Sequence, residues 1–112
     1  MIPRMRMTWP EDADGDVLRR IEERGFDFSK PHAIDFNIDF ADWPPAAEAI
    51  AIVRRRYPEA VVYEPQDGYP GYILFQVCDL VSYELVIRIQ REVSALVAPF
   101  DGYCESWGVM QG

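Results

Sequence analysis

The stretch DADGDVLRRIEE, Asp12 to Glu23, sets carboxylates at alternate positions and closes on a glutamate. Asp12, Asp14, Asp16 and Glu23 occupy the first, third, fifth and twelfth places of a calcium-binding helix–loop–helix frame. That chemistry also needs glycine at the sixth place, for the sharp turn that brings the oxygens together. Here the sixth residue is Val17, and Pro10 stands where a preceding helix would have to run. Residues 17–24 continue as a helical pattern, which carries Glu23 away from the aspartates. The acidic run is therefore expected to open a helix. Carboxylates there accept from unpaired N–H groups and favour the positive dipole end, worth about 1 kcal/mol. Asp14 or Asp16 would serve as the N-cap.

A second carboxylate row is Asp35, Asp39 and Asp42. On a strand, Asp35 and Asp39 would lie roughly 13 Å apart. They are too far apart to share one metal ion, and they exceed the limit of about 9.5 Å for a glycosidase pair. Two readings remain: a solvated strand face, or a rim for basic side chains of a partner. His32 is the only histidine, and Cys78 and Cys104 carry no local activating signature. Across the expected sheet the two cysteines are roughly 9–10 Å apart, beyond disulfide reach. Gly68 and Gly71 lie in a turn with no lysine and no following helix, so they form no phosphate loop. Arg54, Arg55 and Arg56 end a helix, where cations suit the dipole. No enzyme, metal or cofactor is expected.

The elements that would position these residues follow from periodicity. A helix is predicted at 14–24, with Val17, Leu18 and Ile21 inward and Gly25 ending it. In PHAIDFNIDF, Ile34, Phe36, Ile38 and Phe40 alternate with polar residues, the pattern of a half-buried strand. Pro44-Pro45 opens a helix over 45–57, with Ala46, Ile50, Val53 and Tyr57 as its stripe. Strands are predicted at 59–65 and 72–80 around the turn cluster QDGYPG, then a helix at 83–98 capped by Ser82 and a strand at 103–109. The order α, then βαββαβ, predicts an α+β fold: a ferredoxin-like sandwich with a four-stranded antiparallel sheet, helices on one face, and an extra N-terminal helix. The first strand should sit between the third and fourth. Residues 1–12 read as a tail and 13–112 as one domain.

The third strand carries apolar side chains on both sides: Ile73, Phe75 and Val77 on one, Tyr72, Leu74 and Cys78 on the other. The face without helices is thus expected to show apolar area near Tyr63 or Val62, unless the tail or first helix covers it. A homodimer through that face is one use for it. The chain holds 19 acidic and 11 basic residues, a formal charge of −8. Phosphate neutralisation dominates nucleic-acid affinity, so direct nucleic-acid binding is not expected and a basic protein partner is. MIPRMRMTWP has no long apolar run, which predicts neither a secretory signal nor a membrane span, and a cytoplasmic protein.

DGDVL at 14–18, GFD at 25–27, SKP at 29–31, Asp35-Phe36 and the late helix before a glycine and Trp107 together resemble the regulator of ribonuclease E activity B family, over roughly residues 13–108. That family typically ends Gly-x-Tyr-Asp-Gly-Trp; here Gly102 and Trp107 stand, with Cys104, Glu105 and Ser106 between. The resemblance implies a bacterial regulator that binds the ribonuclease and modulates RNA cleavage without catalytic residues of its own. Partner-binding residues are expected among Asp14, Asp16, Asp35, Asp39 and Trp107. Trp107 has two readings, an exposed anchor for an Arg-rich segment or a core filler. An immunity-type module for an unrelated partner shares these features; a sensor or enzyme would need a deep polar pocket.

Overall fold

The computed structural model describes residues 9–109 of the chain. Its elements are α1 (Ala13–Glu23), β1 (His32–Phe40), α2 (Ala47–Arg56), β2 (Val61–Tyr63), β3 (Tyr72–Asp79), α3 (Tyr83–Val97), a 3₁₀ turn (Ala98–Phe100) and β4 (Gly102–Val109). The strands form one antiparallel sheet in the order β2-β3-β1-β4, the ferredoxin-like arrangement behind an N-terminal helix.

Local chemistry explains the boundaries. Asp12, not Asp14 or Asp16, caps α1: its backbone is extended and its Oδ1 accepts from the Gly15 N–H at 2.7 Å. The helix begins one residue later, so Asp14 already lies inside the first turn. At the other end Gly25 has a φ of +81°, Phe26 N–H donates to the Ile21 carbonyl and Gly25 N–H to that of Glu22. Those paired bonds close the helix in a left-handed turn suited to glycine. The start of α1 also requires a glycine. A Cβ on Gly15 would sit 1.8 Å from the Pro10 carbonyl oxygen, a backbone atom that cannot step aside cheaply.

α2 starts later than its sequence pattern suggested, and Ala46 is an exposed N-cap without a side-chain bond. Ala49 and Val53 form its buried stripe. β2 is shorter than predicted, three residues in place of 59–65. Upstream, Ala60 is committed to a turn: its N–H donates to the Tyr57 carbonyl and its own carbonyl accepts from Arg54. Downstream, Pro65 has no N–H to give a ladder. Ser82 caps α3 by accepting from Leu85 N–H at 3.1 Å.

The core lies between the sheet and the helices. Ile34, Phe36 and Ile38 from β1 and Ile73 and Phe75 from β3 meet Leu18, Val53, Val86, Val93 and Val97. Phe75 is stacked between Phe36 and Tyr57, with ring centroids 5.3 and 4.1 Å away. Trp9 is buried and packs on Phe28. β4 departs from strict alternation. Between the pairs Asn37–Ser106 and Asp39–Tyr103 it carries one more residue than β1 does. This bulge puts both Glu105 and Ser106 on the surface and lets Cys104 and Trp107, three residues apart, both face the helices.

Candidate functional site

The face of the sheet opposite the helices follows from the same alternation. Asp35, Asn37 and Asp39 alternate with the buried residues of β1, and Tyr72, Leu74 and Gln76 with those of β3. The register assembles them into rows. Val61, Leu74, Asn37 and Ser106 lie side by side. Tyr63 pairs with and stacks on Tyr72 at 5.0 Å, and on the far side Asp39 pairs with Tyr103. Gln76 lies opposite Asp35 and donates to its Oδ1 at 2.6 Å. Val61, Tyr63 and Tyr103 are 46%, 42% and 42% exposed. Val62, named from the sequence as possible open-face area, instead pairs with Ile73 and packs on the core; its neighbours Val61 and Tyr63 take the open side.

Charge is sorted across the sheet. Among the described residues every lysine and arginine belongs to α1, the α1–β1 connection, α2 or α3. The strands contribute no lysine or arginine, and their acids Asp35, Asp39 and Glu105 lie on the open face. Partial burial, reinforced by the nearby Glu105 charge, raises the Asp39 carboxyl above its ordinary range.

The predicted site residues separate into two groups. Asp35 and Asp39 share the open face. Asp14 and Trp107 are brought together on the other side: the Trp107 indole N–H donates to Asp14 Oδ1 at 2.7 Å, and the Gln90 amide donates to the same oxygen at 3.0 Å. Trp107 is 9% exposed and belongs to the core. Asp12, which sequence reasoning treated only as a possible metal ligand, accepts from Tyr83 Oη at 2.6 Å. That bond, ahead of the one from Gly15, lowers the Asp12 carboxyl and raises the Tyr83 phenol. Together these contacts pin α1 to α3 and β4. Asp16 stays at the surface, paired with Arg19 at 2.7 Å.

The remaining nucleophiles do not converge. His32 Nε2 meets the Asp27 carbonyl at 2.8 Å and its ring packs on Phe26. Cys78 is exposed despite its apolar sequence neighbours, and Cys104 is buried; both are free. Burial raises the Cys104 thiol to about 12, with Asp39 and Glu105 adding to the effect. Among the described residues no group of three or more His, Cys, Asp or Glu could hold a metal, and no helix is long and apolar enough to cross a membrane.

The family model for regulator of ribonuclease activity B matches residues 11–109. The chain belongs to this family. No curated protein matches it. The match begins at the acidic residues that cap α1 and ends with β4, so the family's unit is the whole described sandwich, N-terminal helix included. Within that unit the motif DGDVL acquires physical content. Asp14 is the anchor for Trp107, Gly15 admits the Pro10 carbonyl, and Leu18 is fully buried. Sequence reasoning placed Tyr63 and Tyr72 as apolar area of the open face but not among the partner-binding residues, and it did not name Tyr103. The signal on β3 was present in the two-residue spacing of Tyr72, Leu74 and Gln76.

Proposed function

We propose that this protein binds a ribonuclease of the E type and modulates its cleavage of RNA, with no chemistry of its own. The observation that carries this reading is the family match over residues 11–109. The open sheet face supports it. Tyr63, Tyr72 and Tyr103 offer large, rigid contact area, and Asp35, Asp39 and Glu105 surround them with negative charge unrelieved by any cation of the strands. Tyrosines beside carboxylates suit a basic segment of a protein, whose guanidinium groups stack on rings and pair with acids. Nucleic acid would be repelled by the same charges. A second copy presenting this face would meet its own negative charge, which disfavours a homodimer there. Asp16 offers a further carboxylate outside this face. The cytoplasm, where such a ribonuclease works, is the proposed compartment.

The test is binding and cleavage with purified host ribonuclease of this type. The expected result is a complex that weakens steeply with salt and an altered rate of RNA cleavage. No complex at low ionic strength, with the protein shown to be folded, would sink the proposal.

A further inference from the structure

The two edges of the sheet are protected unequally. β4, at one edge, carries a bulge and an outward acid, devices that discourage pairing with another strand. At the other edge β2 covers only Tyr72–Leu74 of β3. The next five residues, Phe75 to Asp79, pair with β1 on one side alone. Among the described residues no backbone or side-chain hydrogen bond from outside the ladder reaches their other side. Alternate N–H and C=O groups of this stretch are therefore open to a further strand. Phe75 to Asp79 contain no lysine, proline or bulge to prevent one.

A groove of about 520 Å³ opens where β2 begins, walled by Tyr57, Glu59 and Val61 on one side and by Leu74, Phe75 and Gln76 on the other. Its two sheet faces differ in character. Towards the helices an added strand would meet the rings of Phe75 and Tyr57; towards the open face it would meet Gln76 and, beyond it, Asp35. Glu59 stands at the rim, and the one cation in the groove wall, Arg56, is held by Glu92 at 2.6 Å.

We infer that the Phe75–Asp79 edge takes an extended segment of the protein partner as an additional strand, with apolar and basic side chains alternating along it. Apolar side chains enter the helix side of the groove and basic ones lie over the open face towards Asp35. Backbone pairing gives such a contact its affinity, and the alternate side chains give it selectivity. A second copy of this chain is a poorer occupant, because it would set Glu59 and Asp35 near their own like charges. This inference rests on the regulatory reading for the identity of the partner, but not for the chemistry of the edge.

The experiment uses a short peptide alternating valine and arginine, its counterpart with glutamate for arginine, and a version methylated on alternate backbone nitrogens. Amide hydrogen exchange by NMR follows residues 75–79. The arginine peptide is expected to slow exchange there, and the methylated one to bind at least about tenfold more weakly. Gln76→Lys, an exposed substitution beside Asp35, should weaken the arginine peptide about tenfold and favour the glutamate peptide. Unchanged exchange at 75–79, equal binding of both charge types, or protection that appears only as the protein itself dimerises would each overturn the inference. The host ribonuclease separates the two readings. If it binds Gln76→Lys as well as the unaltered protein, the edge is not its dock and the regulatory reading stands. If it binds neither, the regulatory reading falls and the peptide result alone decides the edge.

Discussion

Along β1, Ile34, Phe36 and Ile38 are fully buried, while Asp35, Asn37 and Asp39 between them remain accessible. The same strand thus serves two surfaces governed by different physics. The inner face is held by close packing, where every missing methylene leaves a cavity. The open face is held by almost nothing across it, since its side chains meet mostly water and one another. Stability should therefore reside on one side of the sheet and recognition on the other.

Phe36→Ala is the largest blow to that division from the inner side. It removes a fully buried ring stacked on Phe75, and a loss of about 3–5 kcal/mol is expected in denaturant titration. Next comes Gly15→Ala. In an ordinary helix this change gains up to about 1 kcal/mol. Here the Pro10 carbonyl occupies the methyl's place, so a loss of about 1–3 kcal/mol is expected, and a gain would show that the chain before α1 moves freely. Trp107→Phe keeps most of the buried ring but takes the indole donor from Asp14. A loss of about 1–2 kcal/mol is expected, shrinking towards zero in an Asp14→Ala background, which has no acceptor, if the pair acts as a unit.

The smallest effects belong to the open face. Asp39→Asn should leave the fold intact and slightly more stable at neutral pH. The folded state raises this carboxyl, so folding penalises its ionised form; the penalty is present at neutral pH and disappears as pH falls through the raised value. Asp12 works in the opposite sense. Its carboxyl is lowered, so its contribution is present above the ordinary value of 3.8 and is lost as pH falls below it. Thermal melts from neutral to acid pH should show the Asp39→Asn advantage vanish at low pH; Tyr83→Phe, which takes the hydroxyl donor from Asp12, should lower the melting temperature at neutral pH and by less in acid. An Asp39→Asn protein that melts well below the unaltered one would erase the proposed separation of the two faces.

Much of this fold was legible in the sequence because its signals were local. Alternation in β1, the stripe of α3 and the turn cluster before β3 each fix an element within a few residues. The strand order then follows from connection rules. What sequence reasoning missed depended on distant partners. Asp12 became the cap because the chain turns there under Pro10. β2 starts late because Ala60 is already committed to the turn after α2, and it ends ahead of Pro65, which has no N–H to give. At the candidate site, Asp35 and Asp39 could be placed on one face from their spacing alone. The tyrosines beside them come from three strands and needed the register. Trp107 was ambiguous because alternation across 103–109 has no fixed phase until the bulge is known.

That bulge bears on how such chains can vary in length. It acts on the strand as a compensating insertion acts on a reading frame. One residue is added, and everything after it keeps its former assignment to inside or outside. Removing Ser106 should therefore yield a regular strand with Cys104 and the tryptophan still facing the helices, and the indole's fluorescence should stay that of a buried ring. Removing Gly108 instead would leave the tryptophan in place but turn Val109 outward. A family that tolerates length changes in this strand can do so at the first position without exchanging its core for its surface.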